Sequence, residues 1–212
     1  MMLTLYGHPI SSYTWKVLTA LYENATPFDF LTVDQTTYAD FIAKWPMGKF
    51  PILLDGARDT MITETSVIVE YLDAHYPGRT RFIPEDLDAA LEVRRWDRVC
   101  DHLNTTMSKI VVDNIRPEGQ RDPYGVEEAK RVVRGVYAVL ETQLGDRAFI
   151  VGDSFTLADC AAAPALWYAT RNAPLEGGFP RVAAYLERLK ARPAFARAVK
   201  EAAPLFHMYP GA

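Results

Sequence analysis

Hydrophobic residues change their spacing once along the chain, near residue 80. Before that point, short apolar runs alternate with stretches of three- and four-residue periodicity. Leu3-Thr4-Leu5-Tyr6 reads as a strand that Gly7-His8-Pro9 breaks, and Ser11 and Ser12 then offer N-cap hydroxyls to a helix. That helix carries Trp15, Leu18, Leu21 and Tyr22 on one face until Asn24 ends it. Residues 28–33 form a second strand, which a right-handed crossover makes the parallel neighbour of the first. Residues 38–45 read as a short helix and Ile52-Leu53-Leu54 as a buried strand. Asp55-Gly56 is the turn into another short run ending Thr60-Met61-Ile62. A helix over residues 64–75 follows, with Ile68, Tyr71, Leu72 and His75 sharing a face.

Beyond Pro77-Gly78 and Pro84 every periodic segment is helical. Trp96, Val99, Cys100, Leu103, Met107 and Ile110 make one long stripe that stops near Pro117. Ala129, Val132, Val133, Val136, Tyr137, Leu140 and Leu144 make another, stopped by Gly145. Two long helices packed side by side are expected. Thr156-Leu157-Ala158-Asp159 reads as a capping box opening an apolar helix around Cys160, Trp167 and Tyr168, which Pro164 should kink. Val182, Leu186 and Leu189 mark one more helix, and Pro193 begins a short terminal one. The expected organisation is an α/β domain over residues 1–76, a linker over 77–86 and an all-helical domain over 87–212.

Composition narrows the functional classes. With 212 residues, 49% hydrophobic and 24% charged, the chain can bury a sizeable core. A net charge of −4, with Arg94, Arg95 and Arg98 interleaved with acids, argues against nucleic acid as a partner. No eighteen-residue apolar run exists, so no membrane span is expected. The first residues lack a basic region and a small-residue cleavage site, which points to the cytoplasm. Cys100 and Cys160 form no C-x-x-C and are expected to be buried reduced thiols. His8, His75, His102 and His207 are too scattered to suggest a metal. Residues 1–76 hold four Lys/Arg against nine Asp/Glu. An anion site in that half must therefore use local dipoles rather than the overall field.

Three loci lie where strands give way to helices, the edge at which open α/β sheets bind ligands. The N–H groups opening the helix at Glu64-Thr65 suit a carboxylate and the Glu64 side chain suits an ammonium; the plainer reading is a helix start with an acidic first turn. Ser11 can donate to an anion in front of its helix, or can merely cap it. A hydrogen bond to a charged group is worth roughly 1.5–3 kcal/mol, enough to lower a thiol pKa by about one to two units. Pro51 either opens its strand in the ordinary trans form or follows a cis bond that turns the Phe50 N–H and C=O away from the sheet, towards an extended peptide.

Together these loci resemble those of the cytosolic glutathione transferases, and the resemblance runs over essentially the whole chain. It rests on Leu5-Tyr6 followed by Ser11-Ser12-Tyr13-Thr14-Trp15-Lys16-Val17, on Pro46-Met47-Gly48-Lys49-Phe50-Pro51-Ile52-Leu53, and on Glu64-Thr65-Ser66-Val67-Ile68-Val69-Glu70-Tyr71-Leu72. Phe82-Ile83-Pro84 and the Thr156–Asp159 box extend it. The resemblance implies a thioredoxin-like N-terminal domain followed by an all-helical C-terminal domain, usually as a homodimer. It also implies glutathione as cosubstrate, with no other cofactor and no metal, and a small electrophilic molecule as the second substrate. Glutathione would lie extended with its cysteinyl backbone on Phe50 before cis-Pro51, its γ-glutamyl head at Glu64 and Thr65, and its thiol near Ser11, with Ser12 and Lys49 among its contacts. His8, Tyr13, Met107, Ile110 and Val111 would form the electrophile pocket, with Trp167 and Tyr168 within reach; for the Met107–Val111 group, core packing is the competing reading. The first motif is most similar to the serine-type zeta and theta classes. Tyr13 replaces the zeta cysteine, Trp45 an asparagine common in the family, and Thr65 a serine. A glutathione-dependent isomerase and a non-catalytic scaffold are the alternative expectations.

Overall fold

The computed structural model describes residues 3–210. Strands β1 (Leu3–Gly7), β2 (Phe28–Thr32), β3 (Ile52–Asp55) and β4 (Thr60–Ile62) form one mixed sheet in the order β2-β1-β3-β4. β1 is parallel to β2 and antiparallel to β3, with Leu5 paired to Phe30 on one side and Leu53 on the other; β4 adds antiparallel to β3. Helices α1 (Ser12–Glu23), α2 (Tyr38–Lys44) and α3 (Thr65–His75) complete a βαβαββα thioredoxin-like unit. The all-helical half follows: α4 (Leu87–Asn114), α5 (Pro123–Leu144), α6 (Leu157–Asn172), α7 (Pro180–Ala191) and α8 (Pro193–Ala202). No helix among the described residues is long and apolar enough to cross a membrane.

α1 departs from the one-faced helix that its spacing predicts. Every residue from Thr14 to Leu21 is buried, because the sheet unit covers one side and α6 and α8 the other. Trp15 lies at this junction, its ring centroid 4.9 Å from Trp167, 5.1 Å from Tyr168 and 5.8 Å from Phe195. The polar edge of its indole donates to the Pro9 carbonyl at 2.5 Å. One continuous hydrophobic core therefore runs through both halves of the chain. An aromatic at such a point carries about 3–5 kcal/mol against truncation to alanine.

α3 also turns differently from expectation. Its buried face is Thr65, Ile68, Val69, Leu72 and Asp73, whereas Tyr71 is half-buried and His75 exposed. Tyr71 is drawn aside by a polar anchor. The buried Asp55 carboxylate accepts from the Tyr71 hydroxyl at 2.7 Å, the Tyr76 hydroxyl at 2.5 Å and the Ala57 N–H at 2.9 Å. Burial and the bonded carboxylate push the Tyr71 phenol up to about 12. Asp55 is thus more than a turn residue, since it ties the β3–β4 hairpin to the end of α3.

α6 is the central post of the helical half, buried along almost its whole length and continuous through Pro164. Its capping box forms as expected, with Asp159 Oδ2 accepting from the Thr156 N–H at 2.8 Å. The stripe from Trp96 to Ile110 packs α4 against α5 and, more extensively, against α6. Cys100 and Cys160 are free and buried at that contact, and burial pushes both thiols well above the usual range. The segment between the halves is also packed. The Phe82 N–H donates to Asp73 Oδ1 at 2.8 Å, and the Phe82 carbonyl accepts from the Leu157 N–H at 3.0 Å.

Candidate functional site

A cleft of about 450 Å³ opens between the two halves. Tyr13 of α1 lines it, as do Lys49, Phe50 and Pro51 before β3, and Glu64 and Thr65 at the start of α3. The opposite wall is a polar stripe on α4: Arg98, Asp101, Thr105 and Ser108. Five positions expected to contact one tripeptide therefore share one cavity.

Local conformation explains the shape of the first wall. The Phe50–Pro51 peptide bond is cis. β3 begins only at Ile52, and the Phe50 N–H and C=O make no hydrogen bond among the described residues. Glu64 has φ 64° and ψ 119°, a left-handed conformation costing a non-glycine residue about 1–3 kcal/mol. Such a turn aims the first N–H groups of α3 outward, and no side chain caps them. Uncapped donors at the positive end of a helix dipole are suited to a carboxylate.

Beneath that turn lies a buried ionic cluster. Lys16, 1% exposed, places its ammonium 2.6 Å from Asp97 and 2.9 Å from Asp101, and donates to Ser66 Oγ at 3.0 Å. Ser66 in turn donates to Asp97 Oδ2 at 2.6 Å, and Arg98 pairs with Asp101 at 3.2 Å. Burial opposes the charge on Lys16, but Asp101 and Asp97 together outweigh it and hold its pKa above the ordinary value. The cluster clamps α1, α3 and α4 together directly behind Thr65.

Ser11 is the N-cap of α1, with extended backbone (φ −81°, ψ 124°); its Oγ accepts from the Thr14 N–H at 3.3 Å. This bond uses an oxygen lone pair and leaves the hydroxyl hydrogen free. Ser12 is half-buried, and its side chain makes no hydrogen bond among the described residues. Tyr13 differs. Its hydroxyl shares a 2.7 Å hydrogen bond with Thr105 Oγ1, in which either oxygen can donate, and both hydroxyls reach the Asp101 carbonyl, at 3.5 Å from Tyr13 and 2.9 Å from Thr105. Burial raises the phenol's pKa. Of the three residues only Tyr13 lines the cleft, while the hydroxyls of Ser11 and Ser12, half-buried at the start of α1, donate to no group among the described residues.

The electrophile side departs most from expectation. Met107 and Ile110, 3% and 5% exposed, face the core, and half-buried Val111 packs against it; none lines the cleft. Their stripe lies on the opposite side of α4 from the cleft. Trp167 and Tyr168 are likewise core residues, held by Trp15 and by the Tyr168 hydroxyl donating to the Ile10 carbonyl at 2.5 Å. His8 stands behind the wall, its ring 6.2 Å from that of Phe50. Its Nδ1 accepts from the Ile10 N–H at 3.4 Å, and burial lowers its pKa, favouring the neutral imidazole. The cleft-facing residues not anticipated are Trp45 and Met47 before β3 and, on α4, Arg98, Asp101, Thr105 and Ser108. The three- and four-residue spacing of the α4 group was readable, but a polar helical stripe ordinarily means a solvated face. No group of three or more His, Cys, Asp or Glu among the described residues is arranged to hold a metal.

A profile for "Glutathione S-transferase, N-terminal domain" matches residues 5–80, and one for "Glutathione S-transferase, C-terminal domain" matches residues 123–188. Glutathione S-transferase 3 of Zea mays is 36% identical over 210 residues, covering 93% of each chain. Glutathione S-transferase GstB of Escherichia coli K12 is 28% identical over 207 residues, covering 93% of this chain and 98% of its own. The crystal structure of a glutathione S-transferase from Methylobacillus flagellatus KT with GSH bound superposes with a TM-score of 0.83 at 28% identity, covering 92% of this chain and 98% of that one. These relatives support the family as a whole and do not single out the zeta or theta class expected from the first motif. With both halves matched and a relative above 30% identity spanning nearly the entire length, the chain belongs to the glutathione S-transferase family.

Proposed function

We propose that this protein is an enzyme that binds glutathione in the interdomain cleft, stabilises its thiolate with Ser11, and transfers it to a small electrophile. The observation that carries this reading is the shared cavity. Phe50-Pro51, the uncapped start of α3 and the first turn of α1 converge on one cleft large enough for a peptide. In this reading the cysteinyl backbone pairs with the free N–H and C=O of Phe50. The γ-glutamyl carboxylate takes the Thr65 hydroxyl and the α3 N–H groups, the γ-glutamyl ammonium takes Glu64, and Lys49 and Ser12 complete the contacts. The thiol loses its proton to solvent, and the thiolate is held by the free Ser11 hydroxyl and the positive end of α1. This assigns the thiolate donor in the manner of the serine-type classes.

Two measurements test the proposal. Titration calorimetry with glutathione should show saturable binding at millimolar concentration or below, and an absence of heat there removes the reading. Ser11→Ala should shift the pH profile of conjugation upward by about one to two units, the equivalent of one hydrogen bond to a charged sulfur. A profile that stays in place would transfer the role to Ser12, Tyr13 or a backbone N–H.

We further propose a cytoplasmic homodimer. Met61 on β4, Val67 on α3, and Leu87 and Leu91 on α4 are large apolar side chains exposed to solvent. Sedimentation equilibrium should give twice the chain mass, and Leu91→Glu should lower it.

A further inference from the structure

A second cavity of about 380 Å³ continues from the cleft along α4 towards the start of α5, and Thr105 and Ser108 line both. Its charged groups are unequally occupied. Asp113 Oδ1 accepts from Arg116 at 3.3 Å and from the Asp122 N–H at 2.8 Å, while Asp122 Oδ1 caps α5 by accepting from the Gly125 N–H at 2.8 Å. Both carboxylates and Arg116 are thus engaged within the protein. Lys109 is not: its exposed ammonium makes no ion pair or hydrogen bond among the described residues. Beside it the wall is apolar, supplied by Val112 and Val126. A free cation next to an apolar strip, opening into the cleft assigned to glutathione, is complementary to an amphipathic anion rather than to a purely hydrophobic molecule.

We propose that the second substrate is an electrophile bearing a carboxylate. Its apolar body lies along Val112 and Val126, its carboxylate pairs with Lys109, and its electrophilic carbon projects past Thr105 and Ser108 towards the thiolate. This rests on the conjugating function proposed above. In the reaction the glutathione sulfur forms a bond to the electrophilic carbon, and the leaving group departs with the bonding pair; for a chloronitrobenzoate, chloride is released.

The test compares a chloronitrobenzoate with the matching neutral chloronitrobenzamide. For each, kcat/KM is divided by the uncatalysed rate with glutathione, in the native protein, Lys109→Met and Lys109→Arg. The acid-to-amide ratio should fall about fivefold in Lys109→Met, mainly through KM, as expected for one favourable, partly exposed ion pair. Lys109→Arg should restore most of it, and high salt should erode the native ratio. An identical ratio in all three proteins, with conjugation intact, overturns the carboxylate assignment alone. Loss of both conjugation and calorimetric glutathione binding in the native protein overturns the conjugating function, and the assignment with it.

Discussion

Lys16 keeps its charge at 1% exposure because two α4 carboxylates face it within 3 Å. Removing the cation leaves Asp97 as an uncompensated buried charge and Asp101 with only the exposed Arg98, a change that typically costs about 3–5 kcal/mol. Lys16→Met should show this loss in urea denaturation. Its pH dependence has a definite sign. The folded-state pKa lies above the ordinary 10.5, so the stabilisation is whole below that value and disappears as pH rises through the folded pKa. Native protein should therefore lose stability in strongly alkaline solution by a component that Lys16→Met lacks. Lys16 was not legible as a buried group, since an isolated lysine in a helix ordinarily signals solvent. Its partners, one turn apart on α4, are more than eighty residues away in sequence.

α6 illustrates how a short pattern can fix an entire helix. Asp159, 0% exposed, accepts from the Ile150 N–H, the Thr156 N–H and hydroxyl, and the Tyr185 hydroxyl at 2.5 Å. Asp159→Asn turns donors towards donors and should cost about 2–4 kcal/mol in chemical denaturation. The capping box is readable because all its residues are local. Apolar spacing likewise places the strands and the long helices, since burial on one side is what periodicity records. It misplaces the cleft for the same reason. The stripe containing Met107 and Ile110 marks the side of α4 that meets other helices, while the cleft side carries Arg98, Asp101, Thr105 and Ser108. That side becomes distinguishable from an ordinary solvated face only once α1 is known to lie across from it. The Phe50-Pro51 locus was legible because a proline before a strand constrains the backbone locally, and Glu64-Thr65 because the apolar periodicity of α3 begins there.

The core joins the halves without a seam, and the two thiols inside it report on that continuity. Cys100 and Cys160 are buried, with thiols held well above their usual pKa, so neither should react with a thiol reagent in the native state. Both should label on denaturation, and Lys16→Met should label faster than native protein in proportion to its lost stability. Rapid labelling under native conditions would show that α4 and α6 separate independently of global unfolding. Trp15 extends the consequence to the ancestry of the protein. Because its indole sits among Trp167, Tyr168 and Phe195, the sheet half completes the helical half's interior instead of resting on it. The two halves are then poor candidates for shuffling: a hybrid gene splicing this sheet unit onto a relative's helices must carry a matching socket for the tryptophan, so exchange between lineages is expected to transmit both halves together.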